Sequence, residues 1–230
     1  FDLYQRAVAE LEVEGPSLEL TRGLRRLAAW HAERNDAASA LEVELRIIEV
    51  HEALDEPRDQ AQAHFYVSWL AQELERLPLA RHHLDRAYAI FDQLDDRLGR
   101  AESLTSLAQV DAVEKGTVAG IERVEQALEV APDLARAWYD RGCYFARRID
   151  EDPEARSEHL DEALRSISSA IERGWQEVEH MDRDADLDPL RGDDRFVALM
   201  SALRAEVEAD EEPGSRPDDP EVPGRADEAG

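Results

Sequence analysis

Lysine is almost missing from this chain. Lys115 stands alone beside 26 arginines, and Asn35 is the single asparagine. Such a skew reads as genome composition or a salty habitat. One cysteine, Cys143, excludes an internal disulfide and suits a reducing, cytoplasmic compartment. No run of 18 apolar residues occurs, which excludes a membrane-spanning helix. Proline and glycine are sparse until the last stretch and strand formers are few, so a sheet protein is not expected. Positive charge is also short. Against 54 acidic residues stand 27 basic ones, a net charge of −27, which argues against nucleic acid and anionic membrane surfaces as partners. From Ala209 onward lie eight acidic residues and two arginines, so most of the acidity belongs to the body of the chain. It suits either solubility in salt or a basic partner. The chain begins at Phe1 without a signal-like segment, which reads as a fragment or processed form.

What is present is Ala, Leu, Glu and Arg, an all-helical composition. Small residues recur in rows spaced by 40: Ala7, Ala87 and Ala127, with Ile47 at the remaining step; Ala40, Ala80 and Gly120; Ala28, Ser68 and Ala108. After residue 101 the period shortens to 34. Gly142 continues the third row, and Ala163 and Ala170 resume the others after an insertion. Small residues in fixed rows mark where helices cross closely. Large apolar residues fill the rows between, such as Leu84, Val124 and Ile167. Glu44 breaks that row, and His31, His64 and Asp111 also take core positions. At "ALEVAPDLARAWYDRG", Pro132 should end one helix, Asp133 should cap the next, Trp138 should supply bulk, and Gly142 should admit a close neighbour.

The pattern resembles the tetratricopeptide repeat family, most closely over residues 101–142, where Leu104, Leu107, Ala108, Gly120, Ile121, Val124, Ala127 and Pro132 stand at the family's spacings. The resemblance implies an all-α, right-handed superhelical solenoid of antiparallel helix pairs. It would comprise a partial unit (1–16), four units (21–60, 61–100, 101–134 and 135–174), a capping segment (175–208) and a disordered acidic tail (209–230). The insertion "IDEDPEARSEH" reads as an extended helix end and a loop around Asp152-Pro153. In the cap, helices are expected at about 175–181 and 193–208, the second burying Phe196, Leu199, Met200 and Leu203.

Catalytic signatures are missing: the chain has no GxSxG, HExxH, phosphate loop or GxGxxG. No cofactor or metal is expected. The adjacent His82 and His83 would diverge on a helix. The alternation Asp182, Asp184, Asp186, Asp188 begins like a calcium loop, but Leu187 stands where glycine is required and Asp193 where glutamate is. The family resemblance implies a groove lined by the first helix of each unit. Carried onto this chain, the groove positions are Arg25, Gln62, Phe65, Trp69, Gln72, Thr105, Gln109, Arg136, Tyr139, Cys143 and Arg147, with Ala29, Glu33, Glu73, Glu102 and Ala112 among them. The lysine–asparagine clamp of some family members is absent, because Arg25 and Ala29 fill its first positions. The implied function is a protein-interaction scaffold holding a protein or peptide partner. The alternatives are a peptide-sensing module that changes superhelix shape and, more remotely, an enzyme.

Overall fold

The computed structural model describes residues 2–211. Among these residues the regular structure is helical, with eleven α-helices and two 3-10 turns. The first nine helices are α1 (Asp2–Glu14), α2 (Leu18–Ala32), α3 (Ala37–Ala53), α4 (Pro57–Glu73), α5 (Leu77–Gln93), α6 (Arg97–Lys115), α7 (Thr117–Val130), α8 (Ala135–Glu151) and α9 (Arg156–Glu172). Each packs on the next. The chain is an all-α solenoid. The final part, α10 (Val178–Arg183), a 3-10 turn (Ala185–Leu190) and α11 (Asp194–Glu211), folds back on α8 and α9.

Four consecutive turns share one geometry. Asn35, Asp55, Glu75 and Asp95 take φ of 57°, 57°, 55° and 53°, spaced by twenty residues. After each, a backbone N–H reaches five residues back: Asp36 to the carbonyl of His31, Glu56 to His51, Arg76 to Ala71 and Asp96 to Phe91, at 2.7–3.0 Å. This is the Schellman closure, which satisfies helix-end carbonyls. Asp36 and Asp96 then cap the next helix through the N–H groups of Ser39 and Gly99. The later turns differ. Gly116 takes φ 98°, Pro132 follows the end of α7, and a 3-10 turn (Pro153–Ala155) occupies the insertion after α8 runs on to Glu151.

The second and third rows of small residues are buried throughout. A Cβ on Gly120 would stand 2.8 Å from Ala112 Cβ, and one on Gly142 would stand 2.6 Å from Ile167 Cδ1. The first row slips at its start. Ala7 is exposed and Val8 is buried against α2, where Gly23 admits the Val8 methyl.

Two local expectations are corrected. Asp133 does not cap α8, whose cap position is Leu134; its carboxylate accepts from Arg97 at 3.1 Å. The first capping helix begins at Val178 because Gly174 turns the chain and Trp175 is held by its N–H to Ala170 and by stacking on Tyr139. Phe196, Met200 and Leu203 are buried, and Leu199 is half-buried. α11 reaches Glu211, and the rest of the expected tail lies outside the described residues. No described helix is long and apolar enough to cross a membrane.

Candidate interaction face

The expected groove residues stand on α2, α4, α6 and α8, and the structure gathers several of them into two pockets. The N-terminal pocket, about 270 Å³, lies between α2, α3 and α4. Ala28, Ala29, Ala32 and Ala40 keep it open, Tyr66 and Trp69 stand at its edge, and Arg25 and Glu44 supply its charge. Tyr66 is 48% and Trp69 52% exposed. Gln62 is exposed beside them; Phe65 is half-buried against the core, and Gln72 turns its amide onto the Ser68 carbonyl.

Glu44 explains itself here. The equivalent Leu84, Val124 and Ile167 are completely buried, whereas Glu44 lines the pocket with no hydrogen bond or ion pair among the described residues. Burial pushes its pKa up to about 7, and the Arg25 guanidinium pulls only partly the other way. Arg25 itself lies 4.0 Å from Asp59.

The C-terminal pocket, about 310 Å³, is walled by α6, α8 and the capping segment. Gln109, Tyr139, Cys143 and Arg147 meet there. Tyr139 and Cys143 are 2% and 4% exposed, so they form a floor rather than an open groove surface. The cap causes this. Trp175 stacks on Tyr139 with ring centres 4.4 Å apart, and the Tyr139 hydroxyl donates to Asp184 at 2.5 Å. The Cys143 thiol points to the same carboxylate at 3.6 Å. Burial pushes the thiol pKa well up, which suits a packed side chain rather than a nucleophile. Arg136 lies 4.0 Å from Asp140, and Gln109 donates to it at 3.3 Å. Thr105 is a clear departure from the groove expectation: it is fully buried, its hydroxyl spent on the Ala101 carbonyl at 2.8 Å.

The other polar core positions have structural explanations. Asp111 is 2% exposed and accepts from Arg81, Lys115 and Arg123 at 2.6–2.8 Å. Those hydrogen bonds overcome burial and hold its pKa down to about 2. The Nδ1 atoms of His64 and His83 lie 2.8 Å apart in the core, one donating to the other, and burial lowers both to about 4. His51, Glu56 and Asp59 bring metal-type ligand atoms within 4.8 Å of one another. However, the His51–Glu56 pair at 2.8 Å repeats the His31–Asp36 pair of 3.0 Å one turn earlier, so it belongs to the turn geometry.

No protein-family model and no curated protein sequence matches the chain. Solved structures do match. The crystal structure of BtubC (BKLC) from P. vanneervenii is similar at TM-score 0.57 and 13% identity, over 100% of this chain and 97% of that one. MamA is similar at TM-score 0.50 and 18% identity, over 73% of this chain and 85% of that one. YrrB, titled a TPR protein with an unusual peptide-binding site, has TM-score 0.45 and 14% identity, over 90% and 93%. With its paired helices and folded-back cap, the chain shares an all-α solenoid fold with BtubC and MamA.

Proposed function

We propose that this chain is a non-enzymatic protein-interaction scaffold that holds a partner polypeptide along the α2–α4–α6–α8 face, in a cytoplasmic setting. The observation that carries the reading is the N-terminal pocket. Two half-exposed aromatic rings, Tyr66 and Trp69, frame an alanine-lined hollow on the surface where the resemblance expects a groove. Exposed aromatics beside a hollow are the usual anchors of a polypeptide interface, because they bring contact area at low entropic cost. Arg25 lines that hollow, and Gln109 and Arg147 line the second pocket further along the face. The acidic body favours a partner with basic character through electrostatic steering.

The test begins with capture of partners from a lysate by the full chain and identification by mass spectrometry. The interacting segment is then titrated calorimetrically into wild type and Trp69→Ala. The expected loss is about 2 kcal/mol or more, with the circular dichroism spectrum unchanged. A folded Trp69→Ala variant that binds as well as wild type removes the N-terminal pocket from the interface.

A further inference from the structure

We propose that the C-terminal pocket is a subsite for a primary ammonium group, supplied by a lysine side chain of the bound polypeptide. This inference rests on the scaffold reading and names the chemistry its partner would carry.

The first observation is a buried hydroxyl with nothing to bond. Tyr144 is 4% exposed and lines the pocket, and its Oη has no hydrogen-bond partner among the described residues. Such an atom normally finds one, and a buried polar group without one is costly. The second is spare acceptor capacity on two carboxylates of the same pocket. Asp140 is 9% exposed and accepts only the Gln109 amide, with Arg136 no closer than 4.0 Å. The Asp186 carboxylate has no hydrogen bond or ion pair among the described residues. Asp184, by contrast, is occupied by Tyr139, Cys143 and the Asp186 N–H.

The electrostatics show which charge is missing. Burial pushes the Asp140 pKa up to about 7. Arg136 opposes this, while Asp184 and Asp186 add to it. Burial also raises Asp186, with Arg147 pulling back and Asp184 adding. Three carboxylates face two arginines, and Arg147 pairs with none of them within 4 Å. Tyr139, raised by burial, His180 at 3.9 Å from Asp184, and the high-pKa Cys143 thiol complete the titratable lining beside Tyr144. The site is short of one cation.

An ammonium group fits that shortage. It offers three N–H donors around one atom, and the three spare acceptors, on Asp140, Tyr144 and Asp186, come from α8 and from the capping turn. A guanidinium is planar and prefers one carboxylate edge, which suits this set less well. Ala112 and the 67% exposed Val113 lie at the pocket wall, where the methylene stem of a lysine would pack. When the cation binds near neutral pH, the proton on Asp140 leaves for solvent and the carboxylate is held ionised.

The probe is Nα-acetyl-lysine amide, titrated into the isotope-labelled full chain and followed by backbone amide shifts. Saturable shifts are expected at Gln109, Asp140 and Asp186. The norleucine analogue, which lacks the amine, should give none. Affinity should rise between pH 6 and pH 8 as Asp140 ionises, and fall at least tenfold in both Asp140→Asn and Asp186→Asn. Asp186 stands on the capping turn, so the second variant keeps the test open if the first misfolds. Equal binding of the norleucine or arginine analogue, or indifference to Asp186→Asn, overturns the ammonium assignment. Tighter binding of 1,5-diaminopentane by tenfold or more assigns the pocket to a free amine and overturns the polypeptide source. A lysine probe that fails, beside a captured partner that still needs Trp69, sinks the subsite and leaves the scaffold reading standing. A probe that binds, beside a partner indifferent to Trp69, does the reverse.

Discussion

The two pockets lie toward opposite ends of one helical face and have nearly the same size, about 270 and 310 Å³, yet their chemistry was set in different ways. The N-terminal pocket comes from substitution within the repeat. A row that elsewhere carries Leu84, Val124 and Ile167 carries Glu44, and alanines opposite leave room beside it. The C-terminal pocket comes from addition to the repeat. The capping segment closes over α8, covers Tyr139 and Cys143, and brings Asp184 and Asp186 to Asp140. One end is edged by two half-exposed aromatic rings, the other is rich in carboxylates. Each holds one acid pushed to about 7, because burial outweighs the pull of the nearby arginine, Arg25 or Arg136. Repeat packing therefore determines where hollows form, and departures from the repeat determine what lines them.

The sharpest way to break this comparison is to close the α6–α7 crossing behind the C-terminal hollow, where Ala112 and Tyr144 both line the pocket. Gly120→Leu puts a side chain where even a Cβ meets Ala112 at 2.8 Å and the Ala108 carbonyl at 3.3 Å. The expected cost is about 3 kcal/mol or more, read from denaturant unfolding. Wild-type stability would refute the assigned crossing.

A smaller effect isolates Glu44. Its folded pKa of about 7 lies above the ordinary 4.5, so its contribution favours the fold below pH 4.5 and is lost as pH rises through 7. Glu44→Leu restores the row. It should stabilise the chain by about 2 kcal/mol at pH 8.5, and by less at pH 5.5. Melting curves of both proteins across that range check the sign. A gain that grew toward acid would mean that Glu44 has a partner in the fold. The buried His64–His83 pair runs the opposite way. Its folded values of about 4 lie below 6.5, so its stability is present above 6.5 and lost as pH falls toward 4. A His64→Phe variant should flatten that acid limb.

The smallest expected effect lies in the repeated turns. Glu75 sits at φ 55°, a conformation that costs a side chain about 1 kcal/mol and glycine nothing. Glu75→Gly should change stability by no more than about 1 kcal/mol, with the gain offset by unfolded-chain entropy.

Much of this fold was legible from residue types at fixed spacing. The rows through Ala40, Ala80 and Gly120, and through Ala28, Ser68 and Ala108, mark crossings because only small side chains fit there. Glu44 and Asp111 were visible as intruders in apolar rows, but not what they would meet. Asp111 acquires Arg81 and Arg123 from other helices, and Glu44 acquires an opening. The turns at Asn35, Asp55, Glu75 and Asp95 were not legible, because none places glycine at the positive-φ position. The burial of Tyr139 and Cys143 was not legible. A groove position assumes a free face, and here a segment more than thirty residues downstream docks on it through Trp175 and Asp184. Thr105 was lost more locally, to the carbonyl one turn back, a bond that residue type allows but spacing does not require.

The central claim is that the α2–α4–α6–α8 face binds polypeptide. Hydrogen exchange of the full chain with and without its captured partner segment tests it most directly. The account predicts new protection on α2, α4, α6 and α8, strongest around Trp69 and around Gln109 and Arg147, with α5 and α7 unchanged. Protection confined to α3, α5 and α7, or to the turn at Asp152–Ala155, would contradict it.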